Sequence, residues 1–86
     1  MATTTNDYYF DLDRETIKHV KVTLADQQLT VTTDLLLDSG MKVRSDTRCL
    51  SNVEGYEVSK WQSGLTLRVR RNARFGVIPQ NQHFSC

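Results

Sequence analysis

This sequence has no long apolar stretch and no large excess of one charge. These absences argue against several classes of protein. Its longest apolar run is Leu35-Leu36-Leu37, far short of the roughly 20 residues that a transmembrane helix needs. The residues after Met1 have neither the basic nor the apolar segment of a secretory signal peptide. A formal net charge of +1 argues against a bulk polycation such as a packaging protein. Together these absences predict a cytoplasmic protein with no membrane partner.

Cysteine and histidine are too few and too widely spaced for a recognisable reactive centre. The chain has two of each, which are Cys49, Cys86, His19 and His83. Structural zinc sites bring their ligands in near pairs, and no such pair is present. Cys49 lies in an apolar pattern that is more typical of a small buried hydrophobe than of an activated thiolate. Because no secretory signal is present, we expect both cysteines to be free thiols. Because no serine lies in a nucleophile-elbow motif, we predict a non-enzymatic protein with no cofactor and no metal.

The length and the charge distribution indicate one small domain with unlike halves. Eighty-six residues suffice for a single domain, which we assign to residues 1–79, with 80–86 as a polar C-terminal tail. Residues 1–40 carry seven acidic against three basic side chains, and residues 41–86 carry eight basic against three acidic ones. This asymmetry either marks a polar binding surface or lets the two halves pair with each other in the fold.

Alternation of apolar and polar residues predicts a mainly β or α+β fold. The alternating segments are rich in β-branched residues and lie at 8–12, 20–24, 29–32 and 41–44. Residues Ala25–Gln28 would join two of these strands as a short hairpin connection. We expect six or seven short strands in a small barrel or a bent antiparallel sheet, since such arrangements cover strand edges.

At three places the spacing of the apolar residues also fits a helix. A short helical turn could precede residue 18, with Asp13 as its N-cap. A short helix is predicted over 46–54, capped by Asp46 and ended by Gly55. Residues 34–40 fit one helical turn or a strand end. One or two short helical turns are therefore part of the expected fold.

The clearest predicted hairpin joins Tyr56–Lys60 to Leu65–Arg70 through Trp61–Gly64. A loop with an even number of residues places the apolar residues of both strands on one face. An odd number would set Glu57 opposite Val69 and break that face, so the register selects the even loop. The outer face then carries polar and charged residues, which are Glu57, Ser59, Trp61, Thr66, Arg68 and Arg70. Phe75 to Ile78 would form a last strand that Pro79 ends.

Four arginines within seven residues form the highest local concentration of like-charged side chains in the chain. Guanidinium groups give phosphates bidentate hydrogen bonds, and an indole offers an unpaired base a stacking surface. We therefore predict a binding protein whose Arg-rich hairpin contacts an anionic partner, in the first place nucleic acid. The candidate partner-binding residues are Trp61, Arg68, Arg70, Arg71, Arg74 and Lys60. Lys42 and Arg44 would widen this patch if the fold brought them near.

Three other readings of the arginine cluster remain open. Arginine and tryptophan also anchor protein interfaces, so the partner could be an acidic protein surface. The chain would then be an inhibitor, an immunity-type protein or a phage or mobile-element accessory protein. Alternatively, Glu57 forms a cross-strand ion pair with Arg68 or Arg70, and the arginines protect an edge strand from aggregation. A homodimer formed through an uncovered edge strand is a further alternative.

A second candidate surface for protein binding lies near the N-terminus, at Tyr8, Tyr9, Asp11 and Asp13. Exposed tyrosines give a large contact area at low entropy cost. Asp11 and Asp13 are two residues apart and would share a strand face, where they could bind a divalent cation together. No third carboxylate follows at a recognisable metal spacing, so a solvated strand face is the preferred interpretation and no metal is predicted.

Overall fold

The computed structural model describes residues 3–62 and 64–78. Segments in which apolar and polar residues alternate form β-strands along this part of the chain. The seven strands are β1 Thr4–Asp11, β2 Thr16–Ala25, β3 Gln28–Leu37, β4 Lys42–Leu50, β5 Gly55–Lys60, β6 Leu65–Arg71 and β7 Arg74–Val77. All neighbouring strands are antiparallel, which confirms the prediction of a small, mainly β fold. Within these ranges there is no helix, and hence none that could cross a membrane.

The strands form two open sheets rather than a closed barrel. One sheet has the order β1-β2-β3-β4 and the other has the order β5-β6-β7. Within each sheet every connection joins neighbouring strands, so each sheet is a simple meander, and residues 51–54 connect β4 of the first sheet to β5 of the second. The edges are β1, β4, β5 and β7. Edge strand β4 carries Lys42, Arg44 and Arg48, and charged side chains of this kind oppose edge-to-edge pairing with another chain.

Two hairpins have two-residue turns in which both residues adopt positive φ angles. Asp26 and Gln27, at φ 52° and 63°, connect β2 to β3, which confirms the predicted Ala25–Gln28 connection. Asn72 and Ala73, at φ 51° and 59°, connect β6 to β7. Positive φ at both positions is the type I′ geometry, whose twist matches that of the flanking strands.

The core lies between the two sheets. The four-stranded sheet contributes Phe10, Val20, Val22, Leu29 and Val31, and the three-stranded sheet contributes Leu65, Leu67 and Val69. Val53 and Ile78 complete this buried cluster. Their backbone amides also join the elements, since the Val53 amide donates to the Gln27 carbonyl at 2.8 Å and the Ile78 amide to the Leu67 carbonyl at 3.0 Å. Burial of each large apolar side chain stabilises the fold by about 1.5–3 kcal/mol.

The helical predictions are wrong for the described residues. Residues 46–50 continue β4, where Asp46 lies opposite Thr33 and Leu50 opposite Leu29. Pairing with β3 gives every residue of β4 except Val43 a cross-strand partner, and this tertiary arrangement overrides the local helical spacing. Residues 34–37 belong to β3, which confirms the strand end that was the alternative to a helical turn there, and β2 begins directly at Thr16.

Cys49 is not a free thiol. It is buried, as predicted, but it is disulfide-bonded, so the expectation of a free thiol is wrong at this position. Its sulfur accepts a hydrogen bond from the Gln28 side-chain amide at 3.0 Å. The sequence has one other cysteine, Cys86, which lies outside the described residues together with the predicted tail 80–86.

Candidate partner-binding surface

The β5–β6 hairpin has the predicted register. Tyr56 pairs with Val69 and Glu57 with Arg68. The loop has four residues, Trp61–Gly64, and the Trp61 amide closes it with a 2.7 Å hydrogen bond to the Gly64 carbonyl. Because the loop length is even, the apolar residues of both strands share the side that packs on the four-stranded sheet. The opposite side of the three-stranded sheet, called the outer face below, is directed away from the core.

Trp61 lies at one end of this outer face and is held there by its own indole. Its Nε1 donates a hydrogen bond to the Thr66 hydroxyl at 2.8 Å, and Thr66 belongs to the outer face of β6 because it alternates with the buried Leu65 and Leu67. The side chain is nevertheless 63% exposed. The hydrogen bond fixes the orientation of the ring while leaving most of its surface open to a partner.

Strand β7 adds two exposed apolar side chains that the sequence analysis did not include in the site. Phe75 lies opposite Arg70 and Val77 lies opposite Arg68, so both belong to the outer face. They are 47% and 59% exposed. The Arg68 guanidinium carbon lies 4.6 Å from the centre of the Phe75 ring, a cation–π contact. Phe75 and Val77 are two residues apart. This spacing would have predicted that they share a face of the sheet once the turn at Asn72 and Ala73 had been recognised.

Acidic neighbours balance both arginines of the outer face. Arg68 Nε lies 3.7 Å from a Glu57 carboxylate oxygen, and Arg70 Nη2 lies 3.9 Å from a Glu54 carboxylate oxygen. All four side chains are substantially exposed, so each ion pair contributes little to stability. Their main consequence is electrostatic: the two positive charges of the outer face have two negative charges beside them. The ion pair of Glu57 was one of the open readings of the sequence, whereas the role of Glu54 was missed.

The remaining predicted residues do not join this face. Arg71 and Arg74 pair with each other at the base of the β6–β7 turn, and strand alternation places them on the opposite side from Arg68 and Arg70. The Lys60 ammonium lies 5.4 Å from the centre of the Phe10 ring, on the core side of the hairpin. The four arginines that are adjacent in sequence are thus divided between the two sides of the sheet.

The predicted N-terminal residues Tyr8 and Tyr9 likewise lie on opposite sides of their strand. Tyr9 is exposed and stacks on His19, with ring centres 4.6 Å apart and planes inclined by 10°. His19 Nε2 lies 2.9 Å from an Asp7 carboxylate oxygen. Tyr8 lies on the other side of β1, where it packs against the core, and partial burial, together with the nearby Tyr56, raises the pKa of its hydroxyl. Tyr8 is therefore not the exposed residue that the sequence predicted.

Asp11 and Asp13 do not share a strand face. Strand β1 ends at Asp11, and Asp13 lies in the following bend, where its carboxylate accepts a hydrogen bond from the Glu15 amide at 2.8 Å. That hydrogen bond is the main reason that the pKa of Asp13 is lowered. Among residues 3–62 and 64–78, no three His, Cys, Asp or Glu side chains are grouped so that they could hold a metal ion.

Asp34 forms a polar cluster on the exposed side of the four-stranded sheet. The Ser45 hydroxyl donates to its carboxylate at 2.5 Å, and the Lys42 ammonium lies 3.7 Å away. The Ser45 hydrogen bond is the largest cause of a lowered pKa for Asp34, with further contributions from the charges of Lys42 and His19. The Ser45 hydroxyl thus uses its proton in a hydrogen bond to a carboxylate.

Comparison with known proteins finds no matching family, no matching curated protein and no matching solved structure. A functional interpretation therefore depends on the surfaces of the molecule itself. The outer face combines exposed aromatic and apolar side chains with arginines. Its central members are Trp61, Phe75, Val77 and Arg68.

Proposed function

We propose that this protein is a non-enzymatic binding domain that uses the outer face of its three-stranded sheet to bind a partner protein. The observation that supports this most is the shared exposure of Trp61, Phe75 and Val77 on one face. Exposed apolar patches mark interaction sites in small proteins. Tryptophan and arginine dominate the energetics of protein interfaces, and Arg68 lies within this patch.

The charge balance of the outer face favours a protein over a polyanion. Nucleic-acid affinity comes largely from cations that neutralise phosphates and release counterions. Here Arg68 and Arg70 already have Glu57 and Glu54 beside them. A guanidinium stacked on Phe75 instead offers a flat surface with polar edges, which suits a protein partner that presents acidic and apolar groups together.

In this proposal the domain acts by occupying a surface of its partner. Compact inhibitors, immunity-type proteins and accessory subunits of phages or mobile elements act in this way, and we place the chain in that class. The disulfide at Cys49 favours an oxidising compartment as its place of action, in contrast to the cytoplasmic location that the sequence predicted, because the cytoplasm keeps most thiols reduced.

Nucleic acid is the second candidate partner, and the exposed rings of Trp61 and Phe75 support it. Aromatic rings on a β-sheet stack with unpaired bases at about 1–3 kcal/mol per base. Fluorescence anisotropy with labelled single- and double-stranded oligonucleotides separates the two candidates. Binding that weakens steeply with salt and is lost in Arg68→Ala/Arg70→Ala would support nucleic acid. The protein-partner proposal predicts no binding at physiological salt.

Affinity capture tests the proposed function directly. The tagged chain, its Trp61→Ala/Phe75→Ala variant and a Tyr9→Ala variant are compared in nuclease-treated extracts. Tyr9 is a matched control because it is an exposed aromatic residue on the other sheet, and its replacement also tests the N-terminal candidate surface separately from the outer face. We expect one protein to be retained in a fixed ratio by the wild type and by Tyr9→Ala, and to be lost from the double variant. Retention by all three proteins alike would contradict the proposal.

A further inference from the structure

The four-stranded sheet extends beyond the three-stranded sheet that covers it. Strands β2 and β3 have ten residues each, whereas β5 and β6 have six and seven. A cleft with a volume of 260 Å³ lies on the inner side of the longer sheet. Leu65, the first residue of β6, belongs to its lining, so the cleft lies at the end of the three-stranded sheet.

The register of the longer sheet explains the chemistry of this cleft. Three cross-strand rows run through it: Lys18 with Leu35 and Arg44, Val20 with Thr33 and Asp46, and Val31 with Arg48. The middle of the sheet supplies an apolar floor of Val20, Val31 and Leu35. Lys18 on β2, together with Arg44 and Arg48 on edge strand β4, supplies basic groups around that floor.

Basic side chains outnumber acidic ones in the lining of the cleft, which has Lys18, Arg44 and Arg48 against Asp46. Arg48 and Asp46 have further interactions of their own, so Lys18 and Arg44 are the cations on which binding of a ligand would depend. A fourth cation lies nearby, because the ammonium groups of Lys18 and Lys60 are each 5.4 Å from the centre of the same Phe10 ring. Cations gathered in this way favour the binding of an anion, which reduces their mutual repulsion.

One of these cations, Lys18, lies against the β5–β6 loop. A Cβ atom added at Gly64 would lie 3.0 Å from the Lys18 ammonium nitrogen, so the ammonium lies directly against the β5–β6 loop. Phe10, whose ring it also contacts, is buried. The Lys18 head group therefore lies at the boundary between the two sheets, next to the cleft that its side chain lines.

We propose that this cleft binds a small amphiphilic anion, with a carboxylate or phosphate monoester head and a short apolar body. The head would contact Lys18 and Arg44, since a guanidinium matches both head groups with paired hydrogen bonds. The apolar body would lie on Leu35, beside the edges of the buried Val20 and Val31 that line the cleft. A volume of 260 Å³ lies just below the usual range of ligand pockets, which restricts the body to a few carbon atoms. This site is separate from the outer face and does not depend on the proposed function.

The test uses the full chain and four probes: hexyl phosphate, hexanoate, hexanol and inorganic phosphate. Binding is followed by the methyl resonances of Val20, Val31 and Leu35 and by calorimetry. We expect saturable shifts of these three residues with the six-carbon anions, and weaker binding of hexanol and of inorganic phosphate. A preference for hexyl phosphate or for hexanoate supports the proposal and identifies the head group.

Two variants and one control complete the test. Arg44→Ala removes an exposed edge-strand side chain, and Lys18→Gln removes the charge of a half-buried one while keeping a polar side chain that is one atom shorter. Each is expected to weaken binding at least about tenfold, as the loss of a charged hydrogen bond implies. Arg71→Ala, an exposed arginine of the other sheet, should bind as the wild type does. The proposal is overturned if neither anion shifts the three residues, if hexanol binds equally well, or if folded Arg44→Ala and Lys18→Gln retain wild-type affinity.

Discussion

The carboxylate of Glu54 accepts a hydrogen bond from the backbone amide of Ala73 at 2.8 Å. This contact connects the segment before β5 to the tight turn between β6 and β7. Ala73 has a φ angle of 59°, a conformation that residues with a Cβ atom seldom adopt. The Glu54 amide also donates to the Arg70 carbonyl at 2.8 Å. Glu54 thus stabilises the turn that places Phe75 on the outer face.

Replacement of Ala73 by glycine should stabilise the protein by about 0.5–1 kcal/mol, because glycine adopts a positive φ angle without steric cost. Asparagine followed by glycine is also the preferred pair in a type I′ turn. Urea denaturation measures the change. Ala25→Gly is the matched control, since Ala25 ends strand β2 and its replacement should lower stability. A loss of stability in Ala73→Gly would contradict the turn geometry described here.

Truncation of the outer-face aromatic residues should barely change stability. Trp61 and Phe75 are exposed, so we expect Trp61→Ala and Phe75→Ala each to cost less than about 1 kcal/mol. Leu67 is buried in the core, and Leu67→Ala should cost about 2–5 kcal/mol. Thermal and urea unfolding of the three variants provide the comparison. A cost for Trp61→Ala close to that of Leu67→Ala would show that the indole is structural rather than available to a partner.

Ser45→Ala should raise the pKa of Asp34 toward the usual aspartate value, because the hydrogen bond from the Ser45 hydroxyl is the largest cause of its lowering. A carboxyl with a lowered pKa in the folded state contributes stability above its unfolded pKa. That contribution is lost as the pH falls below about 4 and through the folded pKa. The variant should therefore lose less stability on acidification than the wild type. Carboxyl carbon NMR titration gives the pKa, and an unchanged value in Ser45→Ala would refute the assignment.

Reduction of the disulfide should destabilise the protein by about 2–4 kcal/mol, as is typical when a cross-link no longer restricts the unfolded chain. Cys49→Ser should remove the sensitivity of the melting temperature to dithiothreitol. Trapping of thiols during cell lysis then reports the state in vivo. Protection of Cys49 from alkylation is expected in an oxidising compartment, and its alkylation would place the working protein in a reducing one.

Parts of this fold follow from local pattern, and others depend on tertiary pairing. The hairpin of β5 and β6 was predictable because its loop parity decides whether the apolar residues of both strands share a face. The helix over 46–54 was predicted wrongly, because the spacing of Cys49 and Val53 is helical in isolation while pairing with β3 is decisive in the fold.

The candidate surface was predictable only in part for a related reason. Trp61 and Arg68 share the outer face, as their register implies. Phe75 was missed because Asn72 and Ala73 form a type I′ turn without the glycine that normally marks one. The neutralisation of Arg70 was also hidden, since Glu54 approaches it through the turn contact with Ala73 and not through strand pairing.

The most direct test of the central claim is calorimetric titration of the captured partner protein with the wild type, Trp61→Ala/Phe75→Ala and Tyr9→Ala. The titrations are run at about 50 and 200 mM salt, a range over which binding driven by phosphate contacts falls steeply. The outer-face account predicts a fixed stoichiometry, equal affinity for the wild type and Tyr9→Ala, a loss of at least about tenfold in the double variant, and little dependence on salt. Equal affinity of all three proteins, or an affinity that collapses with salt, would contradict it.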